Sequence, residues 1–368
     1  MTIINEDRLI QHFIELIKIN SESRNEKAIA EALAEQLGQI GFEVAKLPVP
    51  EDISNGFNIY AKLPGQLEGS ILLSCHMDTV TPGNDIEPVI NGGIISSKGD
   101  TILGGDDKSG IAAIMEAVRC IQAQNLPHKT IELAFTVHEE GGLHGSQHFD
   151  MSYVKSQNAI VLDSGGDIGT IITVAPGQQN LKVNITGKPA HAGLAPEEGI
   201  NALTVAADAI SQMNLSRIDN ETTANIGVVK GGQATNIVMP ELYLEAEARS
   251  LDDDKLAAQV EHMVSTFEVV AAKHGAKIDI KSTRAYNAYR IDDADPFIEN
   301  VKAAFTDNGV EPQTKSTGGG SDANIFNGKG LKTVNVSTGM AKVHTTEEYI
   351  KIADMVGVTE FLYTYLTK

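Results

Sequence analysis

Polar residues that can bind metal or move a proton fall at five places along this chain: His76-x-Asp78, Asp106-Asp107, Glu139-Glu140, Asp163 and His344. Each follows an apolar run or lies in a glycine-bounded loop, as in "SILLSCHMD", "TILGGDDKSG", "TVHEEGG", "VLDSGG" and "STGMAKVHTTEE". Taken singly, each has an ordinary structural use: Asp163 as a turn cap, Glu139 and Glu140 as solvated charge, His344 as a surface histidine. Together they offer imidazole nitrogen and carboxylate oxygen in the number that one or two zinc-class divalent cations require. His76 and Asp163 are candidates for one cation, His344 and Glu140 for a second, with Asp106 able to bridge the two. Such a pair acidifies a shared water and polarises a carbonyl oxygen. Glu139 is then free to act as the base that moves the proton, and Asp78 is placed to accept the second ring N–H of His76.

These residues must be carried by strand ends, because open α/β sheets present ligand sites at the carboxyl ends of their strands. The runs "FNIYAKL", "SILLSC", "TIELAFTV" and "NAIVLD" read as strands, with a helix over "SGIAAIMEAVRCIQAQ" between the second and third. Their lack of clean alternation predicts a mostly parallel sheet buried on both faces. Before them, Leu9, Ile10, Phe13, Leu16 and Ile17 mark an amphipathic helix. A second helix is expected to start at a capping box, Ser23 with Glu26, and to stop near Gly41. From Gln178 the order changes to β-α-β-β-α-β, with two strands joined at a Gly231-Gly232 turn, which predicts a four-stranded sheet with two helices on one face. The expected organisation is an α/β domain over 1–177 and 285–368, interrupted by an inserted α+β domain over 178–284.

Composition narrows the function classes. The 368 residues include 42% hydrophobic residues and 34 glycines, ordinary for a globular chain but long for one core. A net charge of -20, from 49 acids against 29 bases, argues against nucleic acid or an anionic membrane as partner. Cys75 and Cys120 are too few for a disulfide scaffold, and neither a signal segment nor a membrane-spanning run is evident, so a cytoplasmic location is expected. No G-x-S-x-G elbow stands where a strand meets a helix, which disfavours a serine hydrolase. A metal-binding protein without catalysis would have no use for Glu139 beside Glu140. The segment before the glycines of "STGGGSDANIF" does not read as a clear strand and no Lys-Ser/Thr follows them, which disfavours a phosphate cradle; close approach to a peptide main chain is expected at Gly319 and Gly320, with Ser321 and Asp322 shaping that wall.

The ordered series "HMDTV", "GGDDKSG", "HEEGG", "VLDSGG", "STGGGSDANIF" and a late histidine resembles the co-catalytic zinc metallopeptidase family of tripeptidase T, glutamate carboxypeptidases and N-acyl amino acid deacylases. The resemblance spans nearly the whole chain. It implies a zinc-peptidase-like catalytic domain with an inserted lid domain, and two divalent metal ions, zinc first, with cobalt or manganese suited to the same ligands. His76, Asp106, Glu140, Asp163 and His344 would be the metal ligands, with Asp78 and Glu139 as catalytic residues and a cis peptide bond after Asp106. In the lid, His191 would stand near the scissile carbonyl and Arg249 would meet a substrate carboxylate, with Asn236 a further substrate contact. Pro240 lies one residue further from that asparagine than is usual, and Glu247 replaces the more common aspartate before the arginine. The implied activity is aminopeptidase hydrolysis of short peptides, tripeptides foremost, with a deacylase or carboxypeptidase acting on N-acyl amino acids as the alternative. A homodimer through the lid domain is the candidate assembly.

Overall fold

The computed structural model describes residues 4–368; residues 1–3 of the expected first domain lie outside the described residues. The chain divides into two compact units. One comprises the chain through Thr173 with Arg290–Ser316 and Ser321–Lys368, and the other Val174–Tyr289 with Thr317–Gly320.

In the first unit, strands Glu43–Pro48, Phe57–Leu63, Thr130–Thr136, Ser70–His76, Asn158–Ser164, Lys332–Ser337 and Thr170–Ala175 lie side by side in that order. The four from Thr130–Thr136 to Lys332–Ser337 are parallel, and their neighbours on either side pair antiparallel. The parallel strands are buried along most of their length, which is why they read as continuous apolar runs. Helix Gly105–Ala123 packs on the Ser70–His76 and Asn158–Ser164 strands and also against helices Glu6–Ile17 and Ile352–Thr367. Sandwiched in this way, it is buried from Gly105 through Val118. His76 pairs in register with Thr136, and Ser337 with Ser164, so the parallel strands end together and their following loops share one rim.

Three local expectations are corrected. Helix Lys27–Gln39 starts without a capping box: Glu26 is its N-cap residue and makes no side-chain cap. The Glu26 carboxylate instead accepts the N–H of Arg24 and of His138, each at 2.9 Å, and the Ser54 hydroxyl. The Ser23 hydroxyl goes to Asp78. Gly231 and Gly232 do not form a tight turn either, because Gly231 is still in the ladder opposite Leu242 and the connection runs on to strand Glu241–Ser250. Finally, Gln313–Ser316, just before the triple glycine, is a strand.

The second unit has strand Gly177–Thr186, helix Ala202–Ser211, strands Thr222–Gly231 and Glu241–Ser250, helix Asp253–His274 and strand Lys277–Tyr286 in the β-α-β-β-α-β order, but its sheet has five strands rather than the expected four, the two-residue strand Ser216–Arg217 pairing with Thr222–Gly231 at one edge. Its sheet is antiparallel throughout. Alternate strand residues Leu181, Val183, Ile185, Leu242 and Leu244 form one core with Val205 and Ala206 of the first helix and Met263 and Phe267 of the second. Asp252 caps the long helix through the N–H groups of Asp254 and Lys255, and Gly275 ends it at φ 69°. No helix among the described residues is long and apolar enough to cross a membrane.

Candidate metal centre

His76 is the last residue of its strand, and its own N–H donates to Asp107 Oδ2 at 3.3 Å. Its Nε2 lies 2.9 Å from Asp106 Oδ1 and 3.8 Å from Asp163 Oδ1. The other ring nitrogen, Nδ1, is met first by the backbone carbonyl of Asp78 at 2.9 Å and only then by its carboxylate at 3.4 Å. That carboxylate also accepts the Glu139 N–H at 2.9 Å, the Glu140 N–H at 3.3 Å and the Ser23 hydroxyl at 2.7 Å. The carboxylate expected at the second ring N–H of His76 is thus shared with Ser23 and with the backbone of Glu139 and Glu140. A buried carboxylate has more lone pairs than one ring N–H can fill, and the turn that begins at Glu139 supplies donors.

His344 comes from the other end of the sequence, in a loop closed at its base by paired hydrogen bonds between Ala341 and Tyr349. Its backbone is left-handed, at φ 63°, an uncommon conformation for a residue with a side chain. Its Nε2 lies 2.9 Å from Glu140 Oε1 and 3.3 Å from Asp106 Oδ2. Asp106 thus faces His76 with one oxygen and His344 with the other. The peptide bond joining Asp106 to Asp107 is cis.

Two overlapping groups result, His76 with Asp106 and Glu140, and His76 with Glu139 and Asp163, each with ligand atoms within 4.8 Å of one another. All the donors are imidazole nitrogen or carboxylate oxygen, the set that zinc-class cations take. The electrostatics point the same way. Burial pushes the Glu139 carboxyl well above its ordinary range, with Glu140, Asp322 and Asp78 adding repulsion. Burial does the same at Asp163, reinforced by Asp106 and Glu139. His344 is pushed up to about 10 by its hydrogen bonds to Asp106 and Glu140. So many carboxylates in one buried space call for cationic charge.

Three further carboxylates build this rim: Glu348, which nothing in the sequence singles out, and Asp107 and Asp322, whose contacts here the sequence does not show. Asp107 accepts the His76 N–H, and Glu348, one residue after the solvent-facing Glu347, is buried against the Asp106 turn. Asp322, the first residue of helix Asp322–Gly328, accepts the Thr136 hydroxyl at 2.5 Å. Only burial separates Glu348 from Glu347, and adjacent acids carry no local sign of it.

The remaining candidates lie in the second unit. The exposed His191 accepts the N–H groups of Gly193 and Leu194 at Nδ1, at 3.1 and 3.2 Å, which leaves Nε2 as the protonated nitrogen of the neutral ring. Its neighbour Ala192 donates to the carbonyl of Asn236 at 2.9 Å, so these two segments run together. Arg249 is forked onto Glu247, Nε to Oε1 at 3.0 Å and Nη2 to Oε2 at 3.1 Å, while Nη1 donates to the Gly318 carbonyl at 3.4 Å. Gly319 donates its N–H to Thr317 Oγ1 at 3.3 Å. A Cβ on Gly320 would lie 2.3 Å from Tyr286 Cζ, so this glycine is required by the tyrosine ring.

Imidazoles and carboxylates converging on the carboxyl ends of parallel strands, beside a buried carboxyl raised in pKa, define a metal-dependent hydrolase. The chain belongs to peptidase family M20/M25/M40, whose model matches residues 72–368. It is 40% identical over 361 residues to the uncharacterized protein YqjE of Bacillus subtilis (strain 168), covering 98% of this chain and 97% of that one. Two crystal structures share the whole fold. Aminopeptidase PepT from Bacillus cereus ATCC 10987 superposes with a TM-score of 0.93 at 40% identity, covering 99% of both chains. A tripeptidase from Staphylococcus aureus subsp. aureus Mu50 superposes with a TM-score of 0.96 at 36% identity, covering 99% of this chain and 98% of that one.

Proposed function

We propose that this protein is a metal-dependent aminopeptidase of short peptides, tripeptides foremost. The observation that carries the reading is the division of labour between adjacent acids. Glu140 is paired with His344, whereas Glu139 is buried, raised in pKa and within reach of His76 and Asp163. The likeness to a solved aminopeptidase and a solved tripeptidase supports the same activity.

In this reading His76 and Asp163 would hold one divalent cation and Glu140 and His344 another, with Asp106 available to either. The ligand set suits zinc, and also cobalt or manganese. Bound there, the cations supply an acidified water and a polarised carbonyl oxygen. Glu139 takes the proton of the attacking water and delivers it to the leaving amine, a task suited to a carboxyl whose pKa is raised. Asp78, by accepting the N–H groups of Glu139 and Glu140, keeps that pair turned towards His76. Residues 178–284 are assigned the lid's role, in which His191 would donate its Nε2–H to the oxygen that gains charge, Arg249 would take the substrate carboxylate and Asn236 would meet the peptide, as would Gly319 and Gly320 from beyond that range. A cytoplasmic enzyme, alone or paired through its lid, fits this role.

Initial rates on di-, tri- and tetrapeptides and on N-acetyl amino acids, with and without chelator, test the activity. Tripeptides are expected to be cleaved fastest and chelator to abolish turnover; faster cleavage of N-acetyl amino acids would assign a deacylase instead. Glu139→Ala is expected to lose about 10²–10⁴-fold in rate while still binding metal, whereas His76→Ala loses metal. Retained activity in Glu139→Ala rules out the assigned base.

A further inference from the structure

Glu348 lies four residues beyond His344 and is only 1% exposed, although Thr345, Thr346 and Glu347 before it face solvent. Its Oε2 accepts the N–H groups of Leu103 at 2.8 Å and Gly104 at 2.9 Å, and its Oε1 accepts the N–H of Asp106 at 3.1 Å. These donors belong to the turn that leads into Gly105–Ala123, where Asp106 and Asp107 depart from helical φ/ψ and regular helix begins only after them, so the turn's N–H groups need a partner from elsewhere. One carboxylate from the opposite end of the chain thus satisfies three backbone N–H groups of this turn. Glu348 also sits next to Tyr349, which closes the His344 loop against Ala341. The loops that carry Asp106 and His344 are therefore joined behind the site, while in front of it their side chains stand 3.3 Å apart.

We propose that Glu348 is a positioning residue of the metal centre, fixing the Asp106 turn against the His344 loop and so setting the spacing at which these two side chains bind metal. The proposal rests on the two-metal reading above. Glu348→Gln keeps the size of the side chain and one acceptor oxygen, but turns an NH₂ group towards a backbone N–H of the clamp. Gly105→Ala perturbs the same clamp with the carboxylate intact, since its Cβ would lie 3.1 Å from Glu348 Oε1. Glu132→Gln serves as the control for lost stability alone. Glu132 is another buried carboxylate, holding the Tyr60 hydroxyl and the N–H groups of Lys155 and Ser156 away from the candidate ligands.

The test is calorimetric titration of zinc into the chelator-stripped full-length wild type and the three variants, well below their unfolding temperatures. Outer partners of metal ligands typically govern about 10–100-fold in affinity. At least one zinc-binding step is expected to weaken by that amount in Glu348→Gln and by less in Gly105→Ala, with Glu132→Gln unchanged. Zinc affinity within about threefold of wild type in Glu348→Gln, beside two intact steps in the wild type, overturns the positioning role. If Glu348→Gln does not fold, unchanged affinity in Gly105→Ala overturns it equally. A wild type that takes up no zinc, cobalt or manganese overturns the two-metal reading, and the proposal with it.

Discussion

Ser23 donates its hydroxyl to Asp78 Oδ2 over 2.7 Å, joining the segment before the second helix to a carboxylate at the centre of the site. Asp78 is fully buried and is held in its charged form by His76, Ser23 and the Glu139 N–H, which together outweigh burial. Asp78→Asn replaces one acceptor oxygen with a donor facing other donors. It is expected to fold, to bind zinc about 10–100-fold more weakly and to lose activity in proportion. Zinc affinity equal to wild type would show that the Asp78 backbone carbonyl orients His76 without help from the carboxylate.

Gly110 of the "DDKSG" stretch is fixed by packing. A Cβ there would lie 2.7 Å from both Asp107 Oδ1 and Cys75 Sγ and 2.9 Å from the Leu162 carbonyl. Gly110→Ala is expected to destabilise the protein by about 1–3 kcal/mol, although alanine is the better helix former. Chemical denaturation measures this, and a neutral or stabilising result would mean that helix Gly105–Ala123 can lift from the sheet at no cost.

The motif order was legible because His76, Glu139, Glu140, Asp163 and His344 each stand at or soon after a strand that the sequence shows as an apolar run, and such strands end at a shared rim; Asp106 is marked instead by its glycine-bounded loop. What escaped was decided by distant partners. The Ser23 and Glu26 pattern is a sound local capping signal, yet tertiary structure directs Ser23 to a residue 55 positions away and Glu26 to one 112 away. Strand Glu43–Pro48 was missed because most of its residues are exposed or half-buried and its pattern is weak. The hairpin of Pro88–Asn91 and Ile94–Ser97 was missed because its two strands are only four residues each.

Glu26 gives the protein a pH dependence of defined sign. Burial pushes its carboxyl from the ordinary 4.5 up to about 7. The folded state therefore holds this proton more tightly than the unfolded chain. Its contribution to stability is full below about pH 4.5, declines as pH rises to about 7 and is flat above. Glu26→Gln mimics the protonated form, so its melting temperature relative to wild type is expected to climb between those pH values. A difference that stays constant across the range would place the Glu26 pKa near its ordinary value.

The fork between Arg249 and Glu247 leaves one edge of the guanidinium, Nη1, turned to the Gly318 carbonyl. If that edge takes the substrate carboxylate, Arg249→Lys should raise KM for a tripeptide by about tenfold, the worth of a charge-assisted hydrogen bond. KM for the same tripeptide amidated at its C-terminus should not change. Equal effects on both substrates would remove Arg249 from carboxylate recognition.

Strand Lys332–Ser337 lies inside the first unit's sheet, between Asn158–Ser164 and Thr170–Ala175. During synthesis the sheet cannot close until this strand has left the ribosome, by which time every residue of the second unit has been made. Such late, long-range pairing slows folding and leaves the unpaired edges of the earlier strands open in the nascent chain. His344 follows the strand by only a few residues, so a chain truncated before it would lack both the closed sheet and one of the two site imidazoles. A partly made chain is thereby kept from being a partly active peptidase.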